Sequence, residues 1–163
     1  MKLKVNLVCI ILAAVTFTAC NAKFLSYRGA VVTRKDQIVV LGGGNQQGVW
    51  KTSELALNYH YQKSPETLKI SGSVKLQGGF QGGFSMIHQL FVQILFLDSN
   101  GIVIKDAPLF ISERDSASDM TPMNFEETFP ISPEITGVAF TYSGILVDGG
   151  MDTTSVSIGS SPF

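Results

Sequence analysis

After Cys20 the chain contains no cysteine. The only two, Cys9 and Cys20, lie within the first twenty residues, so the remainder holds neither a disulfide nor a thiolate metal site. Packing has to stabilise it unaided. Histidine is nearly as scarce, with only His60 and His88. Charged residues make up 15% of the chain and the net charge is −1. So mild a balance lacks the dense basic footprint of a nucleic-acid binder. The apolar stretch Val5–Ala19 runs for fifteen uncharged residues, short of the roughly 20 needed for a permanent membrane span.

What that stretch does offer is a leader. Lys2 and Lys4 form a positive start, and Val5–Val15 is an apolar segment interrupted only by Asn6. This is the pattern of an export signal peptide. It ends in Phe17-Thr18-Ala19-Cys20, which resembles the lipobox of bacterial lipoproteins. Thr18, Ala19 and Cys20 fit that motif, while Phe17 stands where Leu is usual. The resemblance implies cleavage before Cys20, a diacylglyceryl group on its thiol, and palmitate-type acylation of the new amine. Two or three buried chains, at about 0.8 kcal/mol per CH₂, make a stable anchor. The competing reading is ordinary secretion with cleavage after Ala22. Asn21, rather than Asp, after the cysteine implies the outer membrane in an envelope that has one.

Removal of residues 1–19 leaves 144 residues, one ordinary domain. Its charge is lopsided: Cys20–Leu97 carries eight Lys/Arg against three Asp/Glu, and Asp98 onward carries two against ten. The halves either pair within the fold or set Lys23, Arg28, Arg34 and Lys35 near anionic headgroups. The expected organisation is a signal peptide at 1–19, the lipidated Cys and a short tether at 20–29, a β-domain at 30–158 and a flexible tail at 159–163.

Several segments read as strands. Ala30–Thr33 and Gln37–Leu41 flank Arg34-Lys35-Asp36 as a short hairpin. The stretch Gly43–Gly48 has phosphate-loop spacing, but Val49 stands in place of the lysine, and a dinucleotide fingerprint from Gly42 fails at Gln47. Leu55, Leu57, Tyr59 and Tyr61 alternate with Ala56, Asn58, His60 and Gln62, which predicts a half-buried strand. Trp50 is either a core anchor or an exposed stacking ring. Ser64-Pro65-Glu66 turns the chain into a strand from Thr67 to Leu76. Gln77-Gly-Gly-Phe80 repeats as Gln81-Gly-Gly-Phe84, either a glycine-rich loop or a presentation of Phe80 and Phe84 to a partner. Leu90–Leu97, apolar except for Gln93, predicts a central strand covered on both faces. It ends at the turn Asp98-Ser-Asn-Gly101.

Leu68–Lys75 together with Val92–Val103 is similar to the FxLYD type of domain in bacterial envelope proteins. Phe129-Pro130 and Gly137–Val147 supply the later elements, and Leu97 replaces the usual tyrosine. The resemblance implies an all-β, immunoglobulin-like antiparallel sandwich without catalytic residues.

Enzymatic chemistry finds little support. A Ser85/His88/Asp98 triad lacks any pattern that orients its members. Two histidines at unrelated spacing do not make a zinc site, Glu126 and Glu127 point to opposite faces of a strand, and Asp115/Asp119 lack a cation-loop signature. The sequence reads as a membrane-anchored, non-catalytic envelope protein that uses no cofactor or metal and binds a protein partner. A lipoprotein that binds an apolar or glycan ligand is the alternative, and a secreted hydrolase is more distant. In membrane fractions, the wild type should carry a lipid mass increment that Cys20→Ser loses along with membrane retention. An unmodified chain starting at Lys23 would instead establish ordinary secretion.

Overall fold

The computed structural model describes residues 25–78, 86–114, 123–147 and 155–163. The expected leader, Phe17, Thr18, Ala19, Cys20, Asn21 and the Phe80/Phe84 repeat lie outside the described residues, as do Ser85, Asp115 and Asp119. After a single 3₁₀ turn at Lys35–Gln37, the chain forms strands β1 (Val39–Val40), β2 (Gly44–Lys51), β3 (Leu55–Lys63), β4 (Thr67–Leu76), β5 (Met86–Leu97), β6 (Val103–Arg114), β7 (Met123–Pro130), β8 (Gly137–Val147) and β9 (Ser155–Ser160).

These strands make two antiparallel sheets. One is ordered β2-β3-β4-β7; the other is β1-β8-β5-β6, with β9 also pairing β8. Consecutive strands change sheet between β1 and β2, β4 and β5, β6 and β7, and β7 and β8, so that β4 pairs β7 within one sheet and β5 pairs β8 within the other, as in a Greek key. This is the expected immunoglobulin-like sandwich.

Period-two alternation explains the facing layers. Leu55, Leu57, Tyr59 and Tyr61 on β3, with Leu68, Ile70 and Val74 on β4, face Leu90, Val92, Ile94 and Phe96 on β5 and Phe140 and Leu146 on β8. Phe96 meets Phe129 edge-on at 5.3 Å. Full burial of each such side chain is worth about 1.5–3 kcal/mol. The Asp98 turn forms as expected. Its Oδ1 accepts from Asn100 N and Ile102 N, each at 2.8 Å, while Gly101 takes the positive φ of 79°. The bond from Ile102 is the main reason the Asp98 carboxyl lies below its ordinary range.

The outer face of β5 is apolar too. Leu95, Leu97, Val103 and Ala139 are buried there beneath Val32, with Tyr27, Ala30 and Ile38 alongside. The segment from Leu25 to Ile38 is therefore a strap over the five-stranded sheet, and the tether expected at 20–29 is bound to that sheet from Leu25 onward. The expected hairpin at 30–41 does not form. Val32 N donates to Gly101 O and Leu41 N to Thr136 O, both at 2.9 Å, so each arm satisfies its backbone against a different neighbour.

The C-terminal residues, expected as a flexible tail, are held as well. Pro162 O accepts from Thr33 N at 3.2 Å and Arg34 N at 3.1 Å. Phe163 stacks on Tyr27 with ring centroids 5.0 Å apart, and Thr141 Oγ1 donates to Ser160 O at 2.8 Å. The strap supplies the unpaired N–H groups that these last residues satisfy.

Across the four-stranded sheet, one inward row alternates glycine with aromatic residues: Gly48, Tyr59, Gly72, Phe125. A Cβ on Gly72 would collide with Asn58 O and lie 2.9 Å from Phe125 Cζ and from Tyr59 Cα. Gly72→Ala should lower unfolding free energy in urea by about 1–3 kcal/mol, the usual range for overpacking. Gly43→Ala, whose Cβ would meet nothing within 4 Å, should leave the midpoint nearly unchanged.

Candidate functional site

Of the contact residues expected from sequence, Trp50 is not on the surface. It is 5% exposed and lies opposite Leu57 on the inner side of β2. Its ring meets Phe140 at 5.7 Å and Tyr142 at 6.1 Å, both edge-on. Tyr59 packs on Tyr61 at 6.4 Å and on Phe140 at 5.7 Å, and Tyr61 OH accepts from Gly42 N at 2.9 Å. These side chains are buried in the sandwich core; Trp50 lines neither of the two open grooves on the four-stranded sheet, and Tyr59 and Tyr61 border one each. The reason is strand phase: Trp50 follows Gly48 and Gln46 on the core-facing side, a series whose polarity conceals its direction in the sequence.

The structure draws attention instead to β2 itself. Gly44–Gly48 has almost no β-propensity, and sequence alternation begins only after it. The eight residues nevertheless pair with β3 in unbroken register from Gly44 opposite Lys63 to Lys51 opposite Ala56. Thr52 N donates to Leu55 O at 2.8 Å at the connecting turn, and hydrogen-bonded pairs in an antiparallel ladder recur every second residue. Gln46, Gly48 and Trp50 therefore direct their backbone groups to β3. Asn45, Gln47, Val49 and Lys51 direct theirs outward, where no strand pairs with them among the described residues.

The other edges are blunted in the ways that stop strand addition. β6 carries Pro108, the charges of Lys105 and Asp106, and register shifts against β5. β7 ends in Pro130 and points Glu127, an exposed carboxylate, along the same side as Phe125 and Phe129. Lys105 Nζ closes on Pro130 O at 3.4 Å, bridging those two edges. β1 is two residues long. β9 spans six residues and is engaged by Glu54, whose Oε2 accepts from Gly159 N at 3.2 Å. β2 has no proline, bulge or charge before Lys51.

Beside this edge lies the outer face of the four-stranded sheet. Its transverse rows are Gln47-His60-Ser71-Glu126 and Val49-Asn58-Ser73-Asn124. They floor two adjoining open grooves of about 650 and 710 Å³. Amides and hydroxyls dominate; Val49 is the apolar exception at 52% exposure. Lys69 Nζ sits 2.6 Å from Glu126 Oε1 and, by that bond and its charge, holds the carboxyl below its ordinary range.

The candidate catalytic groups stay apart. His60 lies on this outer face of one sheet, whereas His88 is exposed on β5 of the other. Asp98 stands just past the far end of β5, ten residues beyond His88, a separation of about 30 Å at strand rise. Among the described residues, no three His, Cys, Asp or Glu side chains converge as a metal set.

A polar cluster does join the two sheets. Tyr142 OH donates to Glu54 Oε2 at 2.9 Å, and Thr52 Oγ1 lies 2.8 Å from the same phenol oxygen. With Glu54 also holding Gly159, the group ties the β2–β3 turn to β8 and β9. Burial pushes the Tyr142 phenol up to about 12, with Glu54 adding to the effect and the Thr52 hydroxyl opposing it. Folding thus favours the neutral phenol. That contribution is complete below the ordinary value of 10 and fades as pH rises towards 12. Tyr142→Phe should lose about 1–3 kcal/mol in denaturant unfolding at neutral pH. Its stability should also decline less steeply than the wild type's across that alkaline window.

No protein-family model matches the chain, and the search of curated proteins finds no match.

Proposed function

We propose that this protein is a non-catalytic, lipid-anchored module of a bacterial cell envelope, tethered through Cys20 and most consistent with the outer membrane. Its domain holds a protein partner by accepting an extended strand at β2. The observation that carries this reading is the β2 edge: eight residues in regular register, with outward backbone groups at Asn45, Gln47 and Val49 and none of the devices that protect the other edges. Main-chain hydrogen bonds supply affinity in such strand addition, and alternate side chains supply selectivity.

The strap supports the anchored geometry. Gln93 Nε2 donates to Leu25 O at 3.5 Å on the outer face of the five-stranded sheet. Leu25 is five Cα steps from Cys20, a reach of at most about 18 Å. A lipid at Cys20 would thus hold that face towards the membrane and leave the four-stranded sheet on the far side, open to a partner.

A second reading is a glycan-binding lipoprotein. The rows of amides and hydroxyls around His60 and Asn58 favour a polyhydroxylated ligand over an apolar one, since the aromatic residues are committed to the core.

Photo-cross-linking in envelope membranes tests the strand reading. A cross-linker replacing Gln47 in the full chain should give a protein adduct. One replacing Thr128, on the same face at the opposite edge, should not. Val49→Pro removes an outward N–H without touching the β3 ladder, and it should abolish the adduct while leaving the melting temperature within a few degrees. An adduct that survives Val49→Pro, or that forms equally from position 128, would refute strand addition at β2. Displacement by soluble glycan would favour the second reading.

A further inference from the structure

We infer that the strand accepted at β2 is the β2 strand of a second copy of this chain, paired antiparallel about a twofold axis that sets Gln47 opposite Gln47. This rests on the anchored, strand-accepting reading above and names its partner. The outward backbone groups of Asn45, Gln47 and Val49 are spaced evenly about Gln47. A twofold axis perpendicular to the sheet and midway between the two Gln47 residues sets Gln47 opposite Gln47 and Asn45 opposite Val49 of the second copy. Each pair exchanges two backbone hydrogen bonds, and two four-stranded sheets merge into one of eight strands.

Three features favour a second copy over an unrelated strand. The stretch from Gly43 to Trp50 is uncharged, so the pairing brings no like charges into opposition, the usual obstacle to self-pairing. The first charge, Lys51, falls opposite Gly43 of the second copy. The side chains at the axis are primary amides, which both donate and accept and so complement themselves. The tether geometry agrees as well. The strap docks on the outer face of the five-stranded sheet, and the axis runs perpendicular to the stacked sheets. Both copies therefore present that face, with Leu25 bound to it, in the same direction, as two chains anchored in one membrane surface require. An axis lying in the sheet plane would turn one tether away from the lipid.

Gln47→Cys in the full chain, oxidised in membranes, tests the pairing. A hydrogen-bonded antiparallel pair sets the two Cα atoms about 5.5 Å apart, within the range of a disulfide. The expected result is a reducible homodimer well above the wild-type background, absent from Thr128→Cys and reduced at least tenfold when Val49→Pro is added. Two differently tagged full chains should also co-purify from membranes, and Val49→Pro in both should end it. If Gln47→Cys links only to a different protein, the second copy is the wrong partner and strand acceptance stands. If it links to nothing and the tagged chains separate, the self-pairing falls; if the photo-cross-linker at position 47 also gives no protein adduct, the strand reading falls with it.

Discussion

The central strand β5 imposes the requirement that organises this domain. From Leu90 to Leu97 it is apolar on both faces, so a single opposing sheet cannot satisfy it. Val92, Ile94 and Phe96 are covered by the four-stranded sheet; Leu95 and Leu97 need a second cover. The strap from Leu25 to Ile38 provides it, and the last residues, Pro162 and Phe163, close over the strap in turn. The first described segment and the C-terminal residues are thereby drawn to the same outer face. A β-domain without disulfides gains in this way a second small core and fixes the point from which an N-terminal anchor would leave.

One outer face is used for that cover; over the other, no strand or strap lies among the described residues. The four-stranded sheet presents amides and hydroxyls in rows from Gln47 to Glu126, and its β2 edge ends in outward-facing backbone. The contrast with β6 and β7 is physical. Proline removes a donor, a carboxylate pointed along the core side resists burial by an added strand, and Lys105 bridges the two edges. None of this applies at β2. The missing lysine that spoils the phosphate-loop spacing of Gly43–Gly48 also leaves this edge without a charge before Lys51.

The polar link through Glu54, Thr52 and Tyr142 illustrates how a group that looks chemical can be architectural. A carboxylate hydrogen-bonded to a buried phenol suggests acid–base work when seen by itself. Here the carboxylate also accepts from Gly159, and the three side chains fasten the end of one sheet to the edge of the other. With the hydroxyl at Tyr142 and the amide at Gly159 both bound to it, Glu54 is occupied in holding β9.

The sequence by itself determined the all-β class, the alternation of β3, the doubly buried character of β5 and the turn at Asp98, because each depends on side chains within a few residues. It also carries the apolar Val5–Val15 stretch and the Thr18-Ala19-Cys20 pattern on which the proposed anchor rests. Tertiary structure decided the rest. Trp50 faces the core because β2 takes its phase from β3, and its own neighbours Gly48 and Gln46 are silent on direction. Ala30–Thr33 is part of a strap because its backbone pairs with Gly101 and Val103 and not with Gln37–Leu41. β2 became the open edge only once the pairing order of all the strands was set. Which strand lies outermost is a property of non-local pairing, and no local run of residues encodes it.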